Sequence, residues 1–565
     1  SIRVYQAASV LLLMCRIKTK TIKKSKSVMG KKRKFRKSLL SSAILAATLK
    51  TLSGEVVAGT CPLPNASGNV HVAPGSFCEG GVTVDSGTAV NDIGIEGKVV
   101  GNIVNDDGMS DFWMDFGTLD GSFINNGSAQ DVHVANGSEI YADIRNNGDM
   151  RYLSITDGPG ANTVVHGSIV NTGGVVRVHV EGMSTRVGGD IVNADGASVM
   201  NDIVVDGGAI VAGNIYNNGE ASEVVVNRES SVEGDLISDG SAFGLAVLDG
   251  SSVGGDFVNN GDSFYFVADD GGTVGGSMIN TGNNIYSGVL DGSTVVGDFG
   301  NEGFVDGVMM VSNATVQSNV YNETYNDGIQ ITDGSTVGGN VTNSGETGFM
   351  VTARSQIGGD FVNEGLTGHL GIYDSQIAGN VVNSDDSDFL LAIGDGSVVG
   401  GDLVNTDTGY IQDGIALLDG VTVEGSLIND GMLESSIQLV NGSSVGADLV
   451  NNGEVFVGPE GWQQLSDGSA TVAGINVDAG SMVGGNIVNN DSLNITGVHK
   501  PATHSDRFHG IIAWCYAIRY LLLRVPLHAT LNIVTTVSSR NRTRVNPVTC
   551  NRYVIYVITV ITRCY

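Results

Sequence analysis

Acid, base and nucleophile chemistry in this chain would have to come from few residues. His71, His133, His166, His179 and His369 stand singly along the middle of the sequence, and each reads as a surface residue rather than a ligand or a base. A Ser/His/Asp triad would draw on Asp85-Ser86-Gly87 or Gly261-Asp262-Ser263, but neither runs on into a nucleophile loop and no histidine is placed to serve it. Paired carboxylates of the kind glycoside hydrolysis needs occur at Asp269-Asp270 and Asp385-Asp386. In a chain so rich in aspartate and glycine they read as acidic turns. Lyase chemistry on acidic sugars needs clustered cations, whereas Lys98, Arg145, Arg151, Arg177, Arg186, Arg228 and Arg354 are dispersed in the sequence. Asp-rich glycine turns could hold calcium, yet the Gly-Gly-x-Gly-x-Asp repeat of calcium-binding β-rolls is replaced by Gly-Gly-Asp-apolar. Threonine is too irregular for a flat ice-binding face. No catalytic residue, cofactor or specific metal site is therefore expected, only weak divalent-cation binding.

The elements that carry these residues are set by charge and repetition. Residues 1–50 hold 14 Lys or Arg and no acid, and residues 499–565 hold nine bases against Asp506 alone. Residues 51–498 are left with seven bases and 59 acids, a net charge of −52. Such a field repels nucleic acid and anionic membrane surfaces and favours cations. With 81 glycines and only 6% aromatic residues, a large mixed core is disfavoured and a stacked fold fits better.

Repetition is the strongest signal. A small-Asp-apolar-apolar-Asn motif ends on Asn105, Asn125, Asn146, Asn171, Asn193 and Asn217, then on Asn259, Asn280, Asn301, Asn322, Asn343 and Asn363, and finally on Asn383, Asn405, Asn429, Asn451 and Asn489. One copy carries Ser238 instead, and the central copies repeat every 21 residues. Two residues before the Asn every copy is apolar (Ile103, Phe123, Phe257, Phe299, Phe361, Leu403), which marks a core column. One before it, Arg145, Tyr216, Gly300 and Thr342 are admitted, which marks the outer side. Strand alternation then places the Asn inward, where stacked amides would bond the rungs above and below. Four before the Asn stands Gly, replaced only by Ala142, Ser318 and Ala447, so a corner too tight for a larger side chain is predicted. Three before it stands Asp, Asn or Ser, read as a turn former bonding its own local backbone. A second strand per rung, such as 245–248, closes on Asp249-Gly250-Ser251 and its equivalents. These features predict an all-β, right-handed parallel β-helix (solenoid) with about 21-residue rungs. Some eighteen rungs spaced about 4.8 Å apart would extend on the order of 85 Å, stabilised by neighbour stacking.

The expected organisation has five zones. Residues 1–28 read as a non-native upstream extension. Residues 29–58 read as a signal peptide, with the basic run 31–37 followed by the apolar run 39–49 and small residues near Ala58. Residues 59–97 form an N-terminal cap, where Cys61 and Cys78 could close a disulfide in an oxidising compartment. Residues 98–497 form the β-helix. Residues 498–565, where glycine nearly vanishes and Arg, Tyr and Cys arrive together, read as a frame-shifted or truncated end.

An export signal followed by a long acidic, Gly/Asn-rich β-helix with almost no cysteine resembles the passenger region of autotransporter proteins, of the self-associating adhesin type. The resemblance rests on architecture and repeat style. It implies a cell-surface or extracellular rod that acts in cell–cell or cell–surface contact, with itself or surface ligands as partners. It also implies an outer-membrane translocator barrel, for whose strands residues 498–565 are too short. A carbohydrate-active β-helix and a gene remnant without function are the alternatives.

Overall fold

The computed structural model describes residues 61–490 apart from 62–63, 66–67, 86, 88–89, 159–160, 456–469, 473 and 479. The expected extension 1–28, signal peptide 29–58 and tail 498–565 lie outside the described residues. Within them the chain is all-β, a parallel β-solenoid of about 18 turns with rungs of about 21 residues. Each rung feeds three parallel stacks. In a central rung, Ala242–Val247 joins sheet A, Ser252–Val253 joins sheet B and Phe257–Asn259 joins sheet C. The next rung pairs in register, Ser252 with Thr273 and Phe257 with Met278. Strands of two or three residues would not persist alone; each is held because both of its edges are paired.

The core runs up the interior. Phe257 and Asn259 point inward and Val258 outward, and the same alternation recurs along sheet C. Phe123, Phe257, Phe299 and Phe361 are fully buried, as is the amide column beside them. Asn105 Nδ2 donates to Asn125 Oδ1 at 2.6 Å, Asn125 to Asn146 at 2.7 Å, and so on to Asn193 and Asn217 at 2.8 Å. The same bonds join each Asn from Asn259 to Asn451, and Asn451 to the half-buried Asn489. The second amide hydrogen is used locally, as where Asn280 Nδ2 donates to the Gly282 carbonyl at 3.0 Å. Along the uninterrupted stretches of the column the donors and acceptors of the interior amides are thereby matched to one another, which allows a polar column in an apolar core.

Ser238 interrupts this spine. Its hydroxyl accepts from Asn217 Nδ2 at 3.0 Å and donates to the Gly240 carbonyl at 3.1 Å. Nothing is left for the rung above, and Asn259 Oδ1 is buried without a hydrogen-bond partner. Ser238→Asn is expected to raise stability by about 1–2 kcal/mol by supplying that donor. Urea unfolding checks it, and an unchanged or lower midpoint would argue against a continuous spine. A shorter amide column has a similar gap, where buried Val305 separates Asn284 from Asn326 and leaves Asn284 Oδ1 and Asn326 Nδ2 unpartnered.

The residues three before the Asn do not bond their own local backbone as expected; they reach across rungs. Asp235 Oδ1 accepts from the Asp256 amide at 2.9 Å, Asp256 Oδ1 from Ser277 at 2.8 Å, and Asp360 Oδ1 from Asn380 at 2.6 Å. Backbone bonds join adjacent rungs on either side of this position, as where the Gly255 amide donates to the Gly234 carbonyl at 2.9 Å, and the side chain takes up the one amide that they leave. This also explains the glycine column. A Cβ on Gly255 would lie 1.9 Å from Asp235 Oδ1, and one on Gly276 2.2 Å from Asp256 Oδ1. Ala142 and Ala447 are tolerated one rung above the short Ser122 and Ser426. Ser318 turns the collision into a 2.6 Å hydrogen bond to Asp298.

The opposite corner is built by Asp-Gly-Ser. Asp249, Asp291, Asp333 and Asp395 there, and Asp270 in its Asp270-Gly271-Gly272 variant, adopt positive φ between 42° and 63°, a conformation Asp tolerates better than most residues. At several of these corners the buried serine accepts from the rung below: the Ser230 amide donates to Ser251 Oγ, and Ser375 to Ser397 Oγ, both at 3.1 Å, while Ser293 Oγ is buried without a hydrogen-bond partner. At the N-terminal end the first complete rung already runs through Val70–Val72, Phe77–Glu79 and Val82–Val84, within the expected cap 59–97. Cys61 is disulfide-bonded to Cys78 on the sheet B strand of that rung, with Cα atoms 4.7 Å apart.

Candidate functional surface

The chemistry-bearing residues fall mostly on corners and outer faces. Asp269 and Asp270 sit at the positive-φ corner, where the Asp270 amide donates to Asp269 Oδ1 at 2.8 Å. Burial, reinforced by the charges of Asp270, Asp291 and Asp249, raises the Asp269 carboxyl above the usual carboxylate range. The Asp386 amide donates to Asp385 Oδ1 at 2.8 Å in the same manner. Asp269-Asp270 thus forms the acidic turn read from its sequence, whereas Asp386 opens a short strand, Asp386–Ser387, that pairs with Tyr410–Ile411. Asp262 accepts from Asn283 Nδ2 of the next rung at 2.8 Å and Ser263 opens a sheet A strand, while Ser86 lies outside the described residues. In the long rung between Asn451 and Asn489, Trp462 is outside the described residues. Ala470–Val472 forms an antiparallel pair with Ile475–Val477, which continues sheet A.

Three surfaces stand out. The first is a ridge one residue past the spine, whose exposed side chains bond from rung to rung. Asn126 donates to Asp106 at 2.6 Å, Asn147 to Asn126 at 2.7 Å and Asn452 to Asp430 at 2.7 Å. Glu302, Glu323 and Glu364 continue it. Sequence comparison of the rungs could have found this column, since it is polar in nearly every copy. The second is a shallow groove along the edge of sheet A lined by Met200, Glu220, Phe243 and Asp262. Met200 and Phe243 are 63% and 56% exposed, and Phe243 stacks on Phe264 at 4.9 Å. Beside it Tyr265 covers bare Gly244, and its hydroxyl donates to Glu223 at 2.9 Å.

The third surface is the outer face of sheet A around His179. His71 and His166 behave as expected of surface histidines, pairing with Glu96 at 2.9 Å and stacking on Tyr141 at 4.6 Å. His369 and His179 are more enclosed, and burial lowers both below the ordinary histidine range. His179 is not isolated: parallel pairing of Gly174–Glu181 with Ser198–Asp206 sets Glu181 opposite Asp206 and brings both carboxylates toward the ring. Arg228 donates to Asp206 Oδ2, and Arg177 Nε lies 3.7 Å from Asp202. Residues dispersed over about fifty positions thus share one patch, which spacing in the sequence could not reveal.

No family model, curated protein or solved structure matches the chain.

Proposed function

We propose that this chain is an exported, surface-displayed passenger of the autotransporter type that acts as a structural adhesin in cell–cell or cell–surface contact. The observation that carries the reading is the exposed ridge beside the amide spine. A side chain is presented at every rung, on a backbone stiffened by three columns of inter-rung hydrogen bonds. A stiff, periodic array favours many weak contacts made together, whose combined strength exceeds any single one. Its acidic character makes divalent cations the natural bridge between two such faces, because the bare faces repel each other.

Beads coated with the full chain are expected to clump, and millimolar calcium is expected to increase clumping several-fold. Glu302→Lys, Glu323→Lys and Glu364→Lys together are expected to remove the calcium response. Beads that stay dispersed with and without calcium would sink the proposal. The groove favours a second reading as a carbohydrate-active surface, since Phe243 offers a stacking ring between Glu220 and Asp262. Polysaccharide-dependent protection of Phe243 from surface labelling, with release of new sugar ends, would support that reading instead.

A further inference from the structure

The patch around His179 has the geometry of a cation site. His179 Nε2 lies 3.8 Å from Glu181 Oε2 and 3.9 Å from Asp206 Oδ2, and the three ligand atoms fall within 4.8 Å of one another. An ion at the centre of such a triangle stands about 2.2–2.5 Å from each corner, close to the bond lengths Zn²⁺ makes to imidazole nitrogen and carboxylate oxygen.

Two further observations point to a ligand. His179 Nε2 and Asp206 Oδ1 are both buried without a hydrogen-bond partner, and Asp206 is only 2% exposed. Folded proteins rarely leave such atoms unmatched, and a bound ion is one of the standard reasons when they do.

We propose that His179, Glu181 and Asp206 bind one divalent transition-metal ion of the Zn²⁺ class. Arg228 donates to Asp206 Oδ2, the same oxygen that faces His179, and orients the carboxylate as an outer partner does while that oxygen keeps a second lone pair for the ion. Arg177 is partly offset by Asp202, and the surrounding acidic solenoid attracts cations. One imidazole with two carboxylates suits zinc, cobalt or nickel better than calcium, which takes six to eight oxygens. The ion would tie adjacent rungs of sheet A, and with three protein ligands it would keep a coordination position open toward solvent or a second molecule. This inference stands apart from the adhesin reading.

The test is metal uptake by the full chain after chelator treatment, measured by equilibrium dialysis against Zn²⁺ and by Co²⁺ absorption. The intact chain is expected to hold one more tightly bound Zn²⁺ than Glu181→Gln or His179→Gln, each weakening that site at least tenfold. His166→Gln is expected to bind like the parent. A Co²⁺ d–d band is expected in the parent and absent from Glu181→Gln. Equal zinc uptake by the parent and both variants, or no uptake by the parent, overturns the proposal. If His179→Gln fails to fold by circular dichroism, Glu181→Gln carries the test, because its side chain is 42% exposed and lies outside the core.

Discussion

Asn301→Ala is expected to lower the unfolding free energy by about 3–5 kcal/mol, far more than a surface amide would. The substitution removes two buried bonds, Asn280 Nδ2 to Asn301 Oδ1 at 2.9 Å and Asn301 Nδ2 to Asn322 Oδ1 at 2.8 Å. It leaves Asn322 Oδ1 without a donor and Asn280 Nδ2 with only the Gly282 carbonyl, and it opens a void in a packed interior. An unsatisfied buried polar group costs about 1–3 kcal/mol and a core cavity adds to it. A solenoid is also a chain of nearest-neighbour contacts, so a weak rung at its middle lets the two sides unfold separately. Calorimetry or urea unfolding should therefore show a split or broadened transition. Asn147→Ala is the control, since Asn147 is exposed and its loss is expected to cost under about 0.5 kcal/mol. Equal costs for the two would mean that the spine contributes little.

Gly276→Ala is expected to cost about 2–3 kcal/mol, and Asp256→Ser in the same chain is expected to recover about half of it. The new Cβ would lie 2.2 Å from Asp256 Oδ1, which is held by the Ser277 amide at 2.8 Å and cannot move without losing that bond. A serine hydroxyl can rotate aside. The chain itself shows this pairing twice, Ser122 below Ala142 and Ser426 below Ala447. A double-mutant cycle isolates the coupling. If the two substitutions prove additive, the collision with the Asp256 carboxylate is not what keeps glycine in this column.

Much of the fold was legible before any coordinates. A period of 21 residues, an invariant apolar position and an Asn two residues later allow few structures other than a coil with both side chains turned inward. Alternation along a strand has a period of two regardless of context, so the facing of Phe257, Val258 and Asn259 could be read directly. The glycine corners were legible too, although what fills them was not. Asp256 and Asp360 look like turn formers because Asp bonds its local backbone in most proteins. Only stacking one rung on another places the Ser277 and Asn380 amides within their reach. The buried serines of Asp-Gly-Ser escaped notice for the same reason, since their partners lie one rung away.

The patch at His179 marks the limit most clearly. Composition shows five histidines dispersed along an acidic repeat, and spacing along the chain says nothing about neighbours across a sheet. Parallel pairing converts a separation of 25 residues between Glu181 and Asp206 into direct register. By itself, then, the sequence determined the period, the inward face and the acidic exterior, because these follow from local alternation and charge. The tertiary structure alone decided which polar groups meet, because those contacts depend on how each coil seats on the next.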